Sequence, residues 1–272
     1  MLDPLPTIDV VAGPNGAGKS TAAPELLRAT LRVDTFVNAD VIARGLSAFA
    51  PESVASEAGR IMLTRLDALE RARRPFAFET TLSGPGVVRR IERYAAAGFN
   101  VRLHYLWLPH VDIALQRVAE RVRAGGHDVP ADVVRRRFPR SLLNFDRLRR
   151  VPDVAWRLVD VSRPSSHPRI AHGRGGLLFV DDSALWRRVD EPLWALRRGG
   201  AVHEAPLPPL PYGSDDACAE APEEQIAQAF VRARADLVRL YRQLGRNMVV
   251  WKDERVQQVS PFDVPVPGES AD

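Results

Sequence analysis

Apolar positions along this chain follow two rhythms in turn. Short, nearly unbroken runs read as strands buried on both faces: Ile8 to Gly13, Phe36 to Asp40, Pro75 to Thr81 and Val101 to Leu108, with Trp156 to Val161 and Leu177 to Val180 as further candidates. Between them the apolar residues recur at helical spacing. Val54, Ala58, Ile61, Leu66 and Leu69 stripe a helix from Pro51 to Arg73, and Gly86 to Ala97 is a second, stopped at Gly98. Val111 to Arg123 is a third, broken by Gly125-Gly126, and Pro130 opens another that runs through Phe138 toward Asn144. Such alternation predicts βαβ units with right-handed crossovers, hence a three-layer α/β sandwich around a mainly parallel sheet.

The texture changes after about Arg198. Residues 1–200 are expected to form one domain, and 201–222, rich in proline and acid, a linker. Residues 223–272 are read as a small extension. Within it, Ile226, Phe230, Ala233, Leu237, Leu240 and Tyr241 stripe a helix from Glu223 to Leu244, which must pack on something. A short hairpin follows, from Met248 to Trp251 with a turn at Asp253, and then a Pro/Ser/acid-rich end.

The first strand runs straight into Gly13-Pro14-Asn15-Gly16-Ala17-Gly18-Lys19-Ser20-Thr21, and a helix-like segment, Ala22 to Arg28, follows. This is the phosphate-loop pattern G-x-x-x-x-G-K-[ST] in its strand-loop-helix setting, so the fold expected is of the P-loop NTPase type. The glycines let backbone N–H groups and the helix N-terminus converge on a di- or triphosphate. Lys19 then reaches the β- and γ-phosphates, and the Ser20 hydroxyl is placed to ligate Mg²⁺. ATP and Mg²⁺ are therefore the expected cofactors. Only two of the 38 basic residues are lysines, Lys19 and Lys252, and one of them stands where a compact ammonium suits phosphate.

Charge and cysteine usage narrow the setting. Residues 201–272 carry 7 basic and 12 acidic residues against a whole-chain net charge of +4, so the first 200 residues are strongly positive. That suits an anionic ligand, either nucleotide or nucleic acid. A single cysteine, Cys218, leaves no intramolecular disulfide and fits a reducing cytosol. Neither a leader nor a run of 18 apolar residues is read, so a cytoplasmic protein without a membrane partner is expected. No grouping of histidine and cysteine suggests another metal centre.

Two stretches imitate an ATP-binding cassette. In Leu82-Ser83-Gly84-Pro85-Gly86 proline replaces the second glycine of a cassette signature and no glutamine follows. Leu178 to Asp182 resembles the strand whose acid helps hold Mg²⁺, but it lies about a hundred residues too late. A small-molecule kinase fits better. It must activate a hydroxyl, align the acceptor with the γ-phosphate and neutralise charge on the transferring group. Because ligands bind outside the carboxyl ends of parallel strands, Asp40 and Glu79 are expected on the rim that carries Lys19. Asp40 is the candidate to take the acceptor proton, with an N-cap of the next helix as its structural alternative. Glu79 and Thr80 are the candidates to bind a polar acceptor. Arg117, Arg121, Arg123, Arg136 and Arg137 flank Gly125-Gly126-His127 like a lid, whose arginines could clamp phosphate.

The ordered series Gly13 to Thr21, Phe36-Val37-Asn38-Ala39-Asp40, Phe78-Glu79-Thr80-Thr81-Leu82-Ser83-Gly84, then Arg121 to Pro130 followed by Arg135-Arg136-Arg137-Phe138, resembles the zeta-toxin family of P-loop kinases. The likeness spans roughly residues 5 to 200, in the branch described as predicted ABC-type ATPases or kinases. It implies Lys19 on the phosphates, Ser20 on Mg²⁺, Asp40 as catalytic base, and Glu79 with Thr80 on the acceptor. Arg121 or Arg123, with Arg136 or Arg137, would stabilise the transferring phosphate. The family resemblance further implies a nucleotide-sugar acceptor such as UDP-N-acetylglucosamine, a toxin-like role and an antitoxin partner. The Gly-Gly-His-Asp-Val-Pro block departs from the best-understood toxins. An ATPase coupling hydrolysis to conformational change and a nucleic-acid-directed kinase are the alternatives.

Overall fold

Strand β3 (Phe76–Thr80) shows how the sheet sorts its two faces. Phe76 and Phe78 point into one apolar layer and Ala77 into the other, as the two-residue period of a strand requires. The computed structural model that shows this describes residues 5–25, 33–48, 50–126, 128–163, 167–199, 238, 239, 242, 243, 248–252 and 255–263. The expected linker 201–222, Cys218, His127 and most of the helix from Glu223 to Leu244 lie outside the described residues.

Seven strands form one sheet in the order β2-β3-β1-β4-β5-β6-β7. They are β1 (Thr7–Ala12), β2 (Phe36–Val37), β3, β4 (Asn100–Trp107), β5 (Val154–Asp160), β6 (Arg169–Arg174) and β7 (Phe179–Val180). The first five in chain order run parallel, β6 pairs antiparallel with β5, and β7 pairs antiparallel with β6. The chain is thus the mixed α/β fold that its rhythm predicts. Helices α1 (Lys19–Glu25) and α5 (Val111–Arg123) pack on the face of Val11, Ala77, Leu106 and Val159. On the other face, residues of α3 (Ala55–Arg71), α4 (Pro85–Ala96), α6 (Ala131–Leu148) and α7 (Ser183–Gly199) pack on Ile8, Phe78, Tyr105 and Trp156.

Three departures from the sequence expectation have local causes. The second strand stops at Val37 rather than Asp40, because the Asn38 side chain accepts from the N–H groups of Asp40 and Val41 and turns the chain directly into α2 (Ala39–Leu46). Strand β6, Arg-Ile-Ala-His-Gly-Arg, carries no apolar run; it forms because its backbone completes the edge of β5, across a register shift at Leu158/Val159. Helix α7 continues through Pro192, and burying Val189 and Leu193 holds it in place. The expected hairpin is present as β8 (Met248–Lys252) and β9 (Arg255–Val259), with β8 against α5. Among the described residues no helix is long and apolar enough to cross a membrane.

Candidate active site

The carboxyl ends of β1, β3 and β4 carry the site, with α5 closing one side. At the end of β1 the loop turns through Gly13 and Gly16. Both have positive φ, 147° and 75°, and a Cβ on either would press on backbone, within 2.5 Å of Leu106 O and 2.7 Å of Ala114 O respectively. The loop therefore seats against β4 and α5 because these positions lack side chains. Lys19, 6% exposed, opens α1 and its Nζ donates to Pro14 O at 2.9 Å.

Glu79, at the carboxyl end of β3, faces this loop. Ser20 Oγ lies 3.1 and 3.0 Å from the two Glu79 oxygens, and Asn38 Nδ2 donates to Glu79 Oε2 at 2.7 Å. The same Asn38 caps α2 through its Oδ1, at 2.8 Å from Asp40 N and 3.2 Å from Val41 N. The capping role considered for Asp40 thus belongs to Asn38, and Asp40 sits exposed in the first turn of α2. Thr80 Oγ1 accepts from Leu82 N at 2.9 Å, steadying a turn in which Leu82 has φ 55°. Thr81 and Ser83 share a hydrogen bond at 2.9 Å in the same turn.

Charge at the rim is mutual. Burial pulls the Lys19 ammonium below its ordinary pKa; Glu79 and Asp40 oppose that shift, while Arg121 and Arg137 add to it. Burial pushes the Glu79 carboxyl up, opposed by Lys19 and Ser20 and reinforced by the charge of Asp40. Five side chains picked from four separate stretches, Lys19, Asp40, Glu79, Arg121 and Arg137, therefore share one electrostatic neighbourhood. Arg121 Nε and Nη2 are buried there without a hydrogen-bond partner. Gly126 packs on its stem: the Gly126 N–H donates to Arg121 O at 2.8 Å, and a Cβ would lie 2.6 Å from Arg121 Cγ.

The remaining candidates part company. Arg123 and Arg136 are exposed on α5 and α6. Arg117 is a strut rather than a lid arginine. Its guanidinium bonds Gly16 O at 3.3 Å, Val161 O at 3.0 Å and Ser162 O at 3.0 Å, fastening the phosphate loop to the segment after β5. The cassette imitations resolve as well. Pro85 is the first residue of α4, and Asp181, after β7 at the sheet edge, is held by Arg169 and His172. Asn38 is the site residue that sequence reasoning did not single out; an asparagine just ahead of a helix was the available signal.

Comparison with known proteins bears on the fold and the family. A family described as an AAA domain matches residues 9–148. An uncharacterised protein of Haemophilus influenzae is 32% identical over 128 residues, which are 46% of this chain and 88% of the relative. Among solved structures, the complex AvrRxo1-ORF1:AvrRxo1-ORF2 with sulphate ions contains a chain similar at a TM-score of 0.57 and 20% identity. The match covers 70% of this chain and 65% of that one, so this chain spans just under two thirds of its length. The same complex with ATP gives 0.55 at 20% identity, with the same coverage. A structure from the PezAT toxin-antitoxin system of Streptococcus pneumoniae gives 0.50 at 12% identity, over 71% of this chain and 84% of that one. At these identities the likeness is one of fold.

Proposed function

The chain belongs to the AAA-domain family, and from that premise we propose that it is an ATP-dependent kinase, transferring the γ-phosphate to a hydroxyl of a small polar acceptor. The observation that carries this is the pair of buried Arg121 nitrogens, Nε and Nη2, that have no hydrogen-bond partner, on a side chain whose charge is felt at Lys19 together with that of Arg137. Cations gathered and desolvated around a phosphate loop are matched by a polyphosphate, and they act most strongly where charge spreads over the transferring group.

In this reading the Lys19 ammonium and the loop backbone bind the β- and γ-phosphates. The acceptor oxygen bonds to the γ-phosphorus as the bond to the β–γ bridging oxygen breaks, and ADP leaves. The hydroxyl proton goes to the Asp40 carboxylate, which is exposed toward solvent and free to meet an acceptor. Ser20 and Glu79 fit Mg²⁺, being a hydroxyl and a carboxylate within hydrogen-bonding distance beside the phosphate loop, the hard-oxygen set that Mg²⁺ takes together with phosphate oxygens. An ion there would neutralise charge on the β- and γ-phosphates. The Ser20 contact favours this metal side for Glu79 over the acceptor side expected from sequence. Arg121 and Arg137 clamp the phosphates, and Gly126 sets the position of Arg121.

The acceptor we favour is a nucleotide sugar, on the resemblance to zeta toxins. The fold likeness to a toxin-antitoxin structure supports looking for an antitoxin partner in a cytoplasmic setting. The test is metabolite mass spectrometry after incubation of a cell extract with isotope-labelled ATP, comparing wild type with Asp40→Ala. A labelled small molecule that appears with wild type and fails to appear with Asp40→Ala is expected. Label only in inorganic phosphate would make the protein an ATPase, and label in oligonucleotides a nucleic-acid kinase.

A further inference from the structure

Helix α6 does not keep to one layer. Val134 and Phe138 pack with the apolar residues between the sheet and α1 and α5, whereas Leu142, Phe145 and Leu148 belong to the core on the opposite face. The helix therefore crosses the rim of the sheet between residues 138 and 142, and Pro139 stands at the crossing, inside the helix. A proline there supplies no N–H for the carbonyl of Arg135, four residues earlier, and its ring presses on that carbonyl. Helices bend at such a gap. Pro192 of α7 makes the contrast, since Val189 and Leu193 on its two sides share one core.

The two halves are held by different neighbours. After the proline, Ser141 and Tyr105 share a buried hydrogen bond at 2.9 Å, and Asn144 Nδ2 donates to Leu82 O at 2.8 Å, in the turn that follows β3. Further along, Arg147 donates to Glu92 of α4 at 2.7 Å and Arg197 of α7 donates to Asp146 at 2.9 Å. Before the proline the contacts go to α5: Val134 is buried in its layer, and Arg135 Nη1 stands 3.8 Å from Asp112 Oδ1 in its first turn. Arg137 belongs to this first half, two residues ahead of the proline. It is half-buried, and its charge is felt at Lys19.

We propose that Pro139 is a positioning residue for the nucleotide: by parting α6 at the rim it lets the first half lean on α5 and hold Arg137 against the γ-phosphate. This rests on the phosphate clamp assigned to Arg137 above, and it concerns the binding of ATP, whatever accepts the phosphate. An unbroken helix would run straight through the crossing, so that one half would have to lift from its layer. The second half is held by the sheet, by α4 and by α7, so the first half gives and takes Arg137 with it.

Calorimetric titration of the full chain tests this, in Mg²⁺ buffer, with ADP and with the imido analogue of ATP, whose β–γ bridge is nitrogen. Wild type should bind the analogue more tightly than ADP. Pro139→Ala restores the donor to the Arg135 carbonyl and should unfold no earlier than wild type. It should lose about tenfold in affinity for the analogue while its ADP affinity stays within about twofold. Arg137→Ala should lose the same preference, and adding Pro139→Ala to it should cost nothing more, because both act through one guanidinium. Should Pro139→Ala fail to fold, Pro139→Gly brings the same donor on a backbone that still bends. It should lose about threefold for the analogue, and none of that in the Arg137→Ala background. An undiminished preference for the analogue in the proline variants, equal losses for ADP, or losses that add in the double variant overturn the proposal, as does a wild type that binds both nucleotides alike. Label passing from ATP to water alone overturns the kinase reading and leaves this one standing.

Discussion

Asn38 Nδ2 donates to Glu79 Oε2 at 2.7 Å, while the Oδ1 of the same amide caps helix α2. One side chain thereby ties the carboxylate that faces Ser20 to the helix whose first turn carries Asp40. The two duties can be separated. Asn38→Ser keeps a capping oxygen but is too short to cap and reach Glu79 together, so its melting temperature should stay close to wild type. Turnover should fall about ten- to a hundredfold, as when the partner of a metal-side ligand is lost, and more Mg²⁺ should be needed for half-maximal rate. Asn38→Ala should add a stability loss of about 1 kcal/mol from the missing cap. Wild-type turnover and Mg²⁺ dependence in Asn38→Ser would reduce Asn38 to a cap.

Gly126 is exposed, so its substitution by alanine costs little burial, yet the added carbon would lie 2.6 Å from Arg121 Cγ and 2.9 Å from Arg121 O. The stem of Arg121 must then shift. Gly126→Ala should lower kcat/KM for ATP by about ten- to a hundredfold through a displacement of under an ångström or so, with thermal unfolding almost unchanged. Unaltered kinetics would mean that Arg121 does not act where the site places it.

Much of this arrangement is legible in the sequence, and the parts that are not share a cause. Strands β1, β3 and β4 announce themselves because both their faces are buried, and the phosphate loop because backbone geometry demands its glycines. Strand β6 is hidden because its role is to pair with β5, a backbone property that its Arg-Ile-Ala-His-Gly-Arg side chains do not advertise. The convergence of Lys19, Asp40 and Glu79 follows from parallel topology alone. The division of labour among the arginines does not: Arg117 and Arg121 are one helical turn apart and look equivalent in sequence, but one finds three backbone carbonyls and the other keeps buried nitrogens unpartnered.

That difference is measurable. If Arg117 is a strut, Arg117→Ala should cost about 2–3 kcal/mol in urea unfolding, the range expected when a charged donor leaves several buried carbonyls. Nucleotide affinity should weaken with it, since Gly16 loses its tie to Val161 and Ser162. Arg121→Ala should do the reverse, leaving stability nearly intact and lowering turnover about a hundredfold or more. Stable but slow Arg117→Ala would restore it to the lid.

Asp181 gives a prediction in pH. Burial would raise its carboxyl, but hydrogen bonds and charge from His172 and Arg169 dominate and lower it from 3.8 to about 2. A carboxylate with a depressed folded-state pKa binds protons more readily in the unfolded chain, so its contribution to stability is complete above the unfolded value and fades as pH falls through the folded one. Asp181→Asn, which keeps the shape and removes the charge, should therefore be less stable than wild type at about pH 5, and the margin should shrink between about 4 and 2. Urea titrations of both proteins at several pH values across that window read the difference directly. A margin that stays flat to pH 2.5 would show that the carboxylate's charge contributes nothing to holding β6 and β7 together, leaving that to contacts such as their backbone pairing and the stacking of His172 on Phe179, centroids 5.0 Å apart.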